Sequence, residues 1–393
     1  MRVLITDGNE RVALAVARSL TRAGHAVVVT APTRLSLAGV SRGICSRPVR
    51  ADPLGEPAPY AAELGRVAGD EAVDIVLPMT DASVDAVLDY RANLPLDITI
   101  PVPERDTYGL AVDKARLLPL AKASGFGIPE TRIIPSREES EAALTDAAFF
   151  PAIVKSHRSV INDCGTRRKT QVTQVADAAA CRRVLAALPR AAFPVLLQRP
   201  VAGVGEGFFA LRWNGRMVAM FAHRRLREKP PAGGVSVYRE SIGLDDSLMG
   251  PGIRLLDALG WQGVAMVECR RDQATGRPVV MEVNGRFWGS LQLAIDCGVD
   301  FPDLLVRCAA GEVVPASRHY RLGVRSRWFW GDVDHLYLRL RDAQLRRASR
   351  LRAVVDFLRV RPGRDRSEVA RWRDPAPFFI ETLQWLRILR HGT

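Results

Sequence analysis

The sequence predicts an α/β fold that opens on a doubly wound parallel sheet, continues as an α+β region and ends in a helical C-terminal extension. Three observations support this. Through the first hundred residues short apolar strands alternate with helix-patterned segments, as parallel β-α-β winding requires. Between residues 205 and 286 two pairs of apolar runs enclose turn-forming residues, Asn214-Gly215 in the first and Gly276 to Pro278 in the second, the pattern of antiparallel hairpins. From Gly331 onward the chain is basic and helix-forming, with 14 arginines against 8 acidic residues.

In chain order, residues 3–6, 26–30 and 74–78 read as strands, with helices at 12–23, 60–68 and 83–90. The turn after the first strand, Asp7-Gly8-Asn9-Glu10, holds one glycine where a dinucleotide fingerprint needs three, so NAD is not expected. Thr80 and Asp81 are placed to cap a helix at the carboxyl edge of the sheet. A helix follows at 113–122, then an extended stretch at 128–135, a helix at 137–144 and a buried strand at 151–155 that ends on Lys155. Residues 156–169 read as a polar loop, 176–188 as a helix and 195–198 as a strand. A hairpin is expected at 208–221, a lid-like loop at 226–236, a helix at 253–259, the second hairpin at 264–284 and helices at 291–295 and 302–310.

Composition bounds the function. Hydrophobic residues make up 47% and charged residues 25% of 393 residues, the proportions of a soluble globular protein with room for two or three domains. No secretory signal and no membrane span of ~18 apolar residues is visible, so a cytoplasmic protein is expected. The six cysteines show no zinc spacing and read as reduced thiols. The net charge of +13 invites a nucleic-acid partner, yet only 5 of 56 basic residues are lysine, a ratio that reflects coding bias as much as selection for charge. Nucleic acid is therefore not expected, and the basic tail reads as a solvated helix pair.

The residues with most chemical content lie on the second hairpin. Glu268 and Glu282 are equally far from Thr275, which puts them opposite each other, and Asn284 shares their face because strand side chains alternate. Facing carboxylates repel unless a cation lies between them. Oxygen-only ligands suit magnesium, which completes its octahedron with water and phosphate, and Arg286 adds a positive group on the same face. Lys155 and Lys114 would reach phosphate oxygens, while Gln198-Arg199-Pro200-Val201 forms a hinge whose free backbone groups suit an adenine edge.

Taken in order, a lysine-ended strand, a polar loop, a hinge, a glycine-flanked hairpin, a glutamate and then Glu-x-Asn-x-Arg resemble the ATP-grasp superfamily over residues 105–312. The most specific part is Met281-Glu282-Val-Asn284-Gly-Arg286, with Glu268 upstream and Gly289-Ser290 after it. The resemblance implies a pre-ATP-grasp Rossmann-like domain at 1–104, an ATP-grasp small subdomain at 105–190, a metal and catalytic subdomain at 191–315 and a basic, mainly helical region at 316–393. It implies magnesium ligands at Glu268, Glu282 and Asn284, with manganese as the alternative ion. It further implies ATP contacts at Lys114, Lys155, Gln198, Arg199 and Val201, a ribose contact at Glu206, and catalytic roles for Arg286 and Lys155. One departure is the loop after Lys155, which has Gly165 where relatives carry several glycines; Ser159 and the cluster Arg167-Arg168-Lys169 are expected to close over the phosphates instead.

The activity so implied is an ATP-dependent carboxylate–amine ligase that forms an acylphosphate from small-molecule carboxylate and amine substrates. Arg239, with Ser241, is the expected holder of the substrate carboxylate. Two rivals stay open, a carbamoyl-phosphate or bicarbonate-activating enzyme and a nucleotide-binding scaffold that docks partners through Trp328, Trp330, Trp372 and Trp385. A homo-oligomer is also left open.

Overall fold

A computed structural model describes residues 1–316 and 319–391. The N-terminal strands β1 (Arg2–Ile5), β2 (Ala26–Ala31), β3 (Cys45–Pro48) and β4 (Ile75–Leu77) pair in parallel in the order β3-β2-β1-β4. The expected strand–helix alternation holds here. The additional strand β3 is short, half-buried and polar, and has no alternation by which to read it. At the carboxyl edge Thr80 caps helix Asp81–Asp89 in a capping box with Ser83, which leaves Asp81 in the first turn.

The next strands are β5 (Thr131–Ile134), β6 (Ala152–Ser156), β7 (Val160–Asp163), β8 (Thr166–Lys169), β9 (Thr173–Val175) and β10 (Val195–Gln198). Four of them form an antiparallel sheet, β5-β10-β6-β9. The stretch read as a polar loop is instead the hairpin β7–β8, whose turn residues Cys164 and Gly165 both have positive φ, 53° and 86°. Such a turn matches strand twist, and the absence of an apolar face on β8 hid it from sequence. The helix expected at 137–144 shrinks to Ser140–Ala143.

The central sheet contains β11 (Gly203–Trp213), β12 (Arg216–Lys229), β13 (Val235–Ser241), β14 (Gly263–Asp272), β15 (Pro278–Asn284), β16 (Arg325–Arg327) and β17 (Asp365–Ser367), ordered β15-β14-β11-β12-β13-β16-β17. Phe208 to Leu211 on β11 are all fully buried, because the sheet is covered on both sides. Phe209 and Leu211 pack with the N-terminal helix Arg11–Arg22 and helices Leu291–Cys297 and Phe301–Ala309. Phe208 and Ala210 pack with helices Arg105–Val112, Lys114–Ala123 and Asp246–Ala258 on the other face. β12 runs on to Lys229, so the expected lid at 226–236 contracts to a hairpin tip at 230–234.

The C-terminal region supplies helices Phe329–Arg341, Arg347–Leu358 and Ala376–His391, and also the two outer strands of the central sheet. It clasps the N-terminal domain: Arg18 bonds Asp374 at 2.8 Å, Ser41 bonds the same carboxylate at 2.5 Å, and Arg11 pairs with Glu368 at 2.7 Å. Three of the tail tryptophans are used internally. Trp330 stacks on Trp385 at 4.1 Å and Trp328 Nε1 donates to Glu381 at 2.9 Å, which leaves Trp372 as the exposed one of the four. Among the described residues no helix is long and apolar enough to cross a membrane.

Glu381 makes this clasp sensitive to pH. Burial lifts its carboxyl to about 7, against the opposing pull of Arg11, and its Oε2 has no partner among the described residues. An acid raised on folding contributes stability at low pH that is lost as pH rises through about 7. Glu381→Gln keeps the acceptor for Trp328 and carries no charge. It is expected to melt with the wild type at about pH 4, below the ordinary carboxyl value, and to be more stable by about 1–3 kcal/mol at pH 8 in thermal scans.

Candidate active site

The β14–β15 hairpin places its carboxylates through a bulge. Near the turn Cys269 pairs with Val280; an extra residue, Met281, then shifts the register so that Glu268 faces Glu282 and Met266 faces Asn284. Without it Glu268 would face Met281. Gly285, which follows, lets the chain pass close to the aromatic core, since a Cβ there would lie 2.7 Å from the Trp261 ring and 2.8 Å from Tyr108.

Cations from three other elements, joined by Arg286 just past the hairpin, converge on this site. Lys114 opens its helix behind the Asp113 cap and sets Nζ 3.3 Å from Glu282 and 3.1 Å from Ser159 Oγ. Arg225 on β12 meets Glu268 at 2.6 Å and Glu228 at 3.1 Å. Arg286 lies in a two-point bond with Asp81, both contacts 3.0 Å, and donates to Asn284 Oδ1 at 3.2 Å. Lys155, next to last on β6, lines the same cavity and has no ion-pair or hydrogen-bond partner among the described residues.

The charges are held by their neighbours. Burial opposes ionisation of Glu282, but Lys114 and Lys155 outweigh it and hold its pKa below the usual carboxylate range. Burial likewise opposes charge on Arg286, yet Asp81 keeps it above its ordinary value, and Asp81 is lowered in return. Lys155 is lowered, chiefly by burial and against the pull of Glu282. These groups line a cavity of about 760 Å3, within the size range of ligand sites.

Two glutamates and an amide oxygen on one face, ringed by cations, match a hard divalent ion that shares its shell with phosphate. Among the described residues no third acidic, His or Cys side chain joins them, so the protein does not enclose an ion by itself. Magnesium would fit this donor set, and Glu268, Glu282 and Asn284 are the residues that could hold it.

The remaining expected residues divide. Gln198, Arg199 and Val201 line the cavity mouth with Pro129 and Ile153, and the Gln198 amide is fastened to Thr131 Oγ1 at 3.1 Å. Glu206 corrects an expectation: on β11 it is Gly207 that sits beside Glu268, so Glu206 points to the opposite face, where it accepts from Arg271 at 2.8 Å. Ser241 is likewise off the cavity, because its hydroxyl donates to Arg321 O at 2.8 Å and accepts from Val324 N at 3.1 Å. Arg239 does line it, but pairs with Glu368 of the tail, so an internal carboxylate occupies one side of its fork. Of the loop cluster, Arg167 pairs with Asp89 and its backbone N–H donates to Leu54 O, so it anchors the β7–β8 hairpin to the N-terminal domain and does not face phosphate.

Of the lining residues, His223, Ser236 and Trp288 were not legible in the sequence. His223 Nδ1, Ser236 Oγ, Arg239 Nε and Trp288 Nε1 are buried without partners among the described residues, and all four residues line the cavity. His223 sits 2.8 Å from Ser290 Oγ and is held neutral by burial and by the charges of Arg239 and Arg225. This set is rich in donors and suits an anionic, acceptor-only group. One signal did exist: Phe221, His223 and Arg225 share a face of β12, an apolar stripe turning polar at period two.

The family described as ATP-grasp in the biosynthetic pathway with Ter operon matches residues 210–331. No curated protein matches the chain. Among solved structures, biotin carboxylase from Campylobacter jejuni in complex with β-γ-ATP is 14% identical, with a TM-score of 0.62 over 82% of this chain and 74% of that one. N5-carboxyaminoimidazole synthetase from Staphylococcus aureus complexed with ADP is 13% identical, with a TM-score of 0.62 over 82% and 80%. L-amino acid ligase from Bacillus licheniformis is 16% identical, with a TM-score of 0.58 over 78% and 73%. At these identities the likeness is one of fold.

The packing under the hairpin gives a direct test. Gly285→Ala forces a methyl against Trp261 and Tyr108, and overpacking of this kind costs about 1–3 kcal/mol. A fall in the urea midpoint without loss of cooperativity is the expected outcome.

Proposed function

We propose that this chain, an ATP-grasp superfamily member by its fold and by the match over residues 210–331, is an ATP-dependent carboxylate–amine ligase. The observation that carries this reading is the register pair Glu268 and Glu282 with Asn284, facing Lys114, Lys155 and Arg286 across one cavity. Carboxylates alone would bind a metal and cations alone an anion. The two together suit a metal-bound polyphosphate.

Glu268, Glu282 and Asn284 would hold magnesium, which would supply charge neutralisation for phosphoryl transfer. Lys114 and Lys155 neutralise the phosphates, and the unpaired state of Lys155 means that no internal contact must break first. Arg286, its fork locked on Asp81, holds a fixed positive charge beside the transferred group. The acid substrate is held by the Ser236, Arg239 and Trp288 donors beside neutral His223. Its carboxylate oxygen attacks the γ-phosphorus, the bond to the β–γ bridging oxygen breaks and ADP leaves. An amine then attacks the acyl carbon and inorganic phosphate departs. The hairpin tip at 230–234, which lines the cavity, covers the acylphosphate against water.

A bicarbonate-activating reading has support in the likeness to biotin carboxylase and N5-carboxyaminoimidazole synthetase. It uses the same nucleotide residues and differs in the acid. ADP release, measured with magnesium and ATP over amino acids, small carboxylic acids and bicarbonate, separates the two. Dependence on an organic acid and an amine supports the ligase; stimulation by bicarbonate alone replaces it with the second reading.

Glu282→Gln is expected to lose turnover by about 100-fold or more while circular dichroism shows a folded chain. Full activity in that variant would sink both readings. Lys155→Ala, which removes an unpaired cation, is expected to weaken nucleotide binding by about tenfold or more in calorimetry.

A further inference from the structure

We propose that the C-terminal helices build a second binding site, separate from the nucleotide cavity, for a small organic molecule carrying a diphosphate or a comparable pair of phosphates. A cavity of about 540 Å3 lies between β12, β13 and the helices Phe329–Arg341 and Arg347–Leu358. Six arginines line it, Arg227, Arg325, Arg339, Arg352, Arg359 and Arg361, against two carboxylates, Asp332 and Asp356.

The carboxylates do not balance the site. Asp332 is fully buried and divided between Arg227 at 2.6 Å and Arg327 at 2.5 Å, while Arg325 is matched by Glu240 at 2.8 Å. The guanidinium groups of Arg339, Arg352, Arg359 and Arg361 have no hydrogen-bond or ion-pair partner among the described residues, and Asp356 is the one lining carboxylate left to face them. Several forks converging on one cavity exceed what a single carboxylate satisfies, and each fork matches two oxygens of a phosphate.

The walls also offer apolar surface. Tyr238 and Phe357 line the cavity with their faces already backed by guanidinium, Arg227 at 4.3 Å over Tyr238 and Arg327 at 4.2 Å over Phe357. Leu226, Leu336 and Ala353 complete an apolar side. A bare inorganic anion leaves that side unused, which is why an organic phosphate fits better.

The site adjoins the nucleotide cavity across a shared wall. Pro231 of the hairpin tip faces the second cavity, whereas Pro230 and Gly233 face the first. Lys229 lines the nucleotide cavity and bonds Asp334 of helix Phe329–Arg341 at 2.5 Å. A ligand drawn between the arginines braces the helix that holds this tip.

Calorimetry on the full chain, with inorganic pyrophosphate as the probe, tests the site. The double variant R352E/R359E changes two exposed lining residues and is expected to lose one component of pyrophosphate binding, weakened about tenfold or more, while its nucleotide affinity stays at the wild-type value. R346E/R347E makes the same change of net charge on neighbouring residues that do not line the cavity, and is expected to bind as wild type. Undiminished pyrophosphate binding in R352E/R359E overturns the proposal, as does equal loss in R346E/R347E, which would mean a diffuse positive field. Citrate at equal concentration is expected to bind more weakly than pyrophosphate. Tighter binding of citrate overturns the phosphate assignment.

Discussion

Two carboxylates facing each other on adjacent strands repel, and in this protein much of the architecture around them supplies the compensation. Glu268 and Glu282 are brought opposite by the bulge at Met281, and each meets a cation from a different part of the chain, Arg225 from the central sheet and Lys114 from the helix beside it. Lys155 arrives from the smaller sheet. Arg286 ties the hairpin to the N-terminal domain through Asp81. The charge pattern therefore joins three sheets at one cavity. A bound metal and polyphosphate would exchange places with internal ion pairs instead of entering an apolar hole, which keeps the desolvation cost low.

The C-terminal region is part of this arrangement. β16 and β17 extend the central sheet beyond β13, and the segment after them returns to the N-terminal helix through Glu368 and Asp374. Glu368 serves both Arg11 and Arg239, so the tail sets the charge at the deep wall of the cavity. Arg239 is thus a partly neutralised donor with its Nε free, better matched to orienting an acid than to binding it by charge alone.

Much of the fold was legible because its signals are local. Asn214-Gly215 both take positive φ, 47° and 76°, and close the hairpin expected there. The facing of Glu268 and Glu282 followed from counting outward from the turn, although the bulge that produces it left no mark in the sequence. The failures were of another kind. Glu206 was one residue away from the right face, and on a strand one residue is the difference between two sides of a sheet. Arg167 sat in a promising cluster, but a partner 78 residues away, Asp89, claimed it.

The sequence by itself determined the β11–β12 and β14–β15 hairpins, the alternation of the first hundred residues and the oxygen and nitrogen groups of Glu268, Glu282, Asn284, Arg286 and Lys155, because periodicity and residue chemistry act over a few positions. Only the tertiary structure decided which arginines remain free. In a chain with 51 arginines the type carries little information, and a guanidinium becomes a scaffold or a site according to whether a distant carboxylate reaches it first. Arg225, Arg239 and Arg286 met such carboxylates at the cavity wall, and Arg352 and Arg359 did not. That outcome depends on long-range packing, for which no local pattern exists.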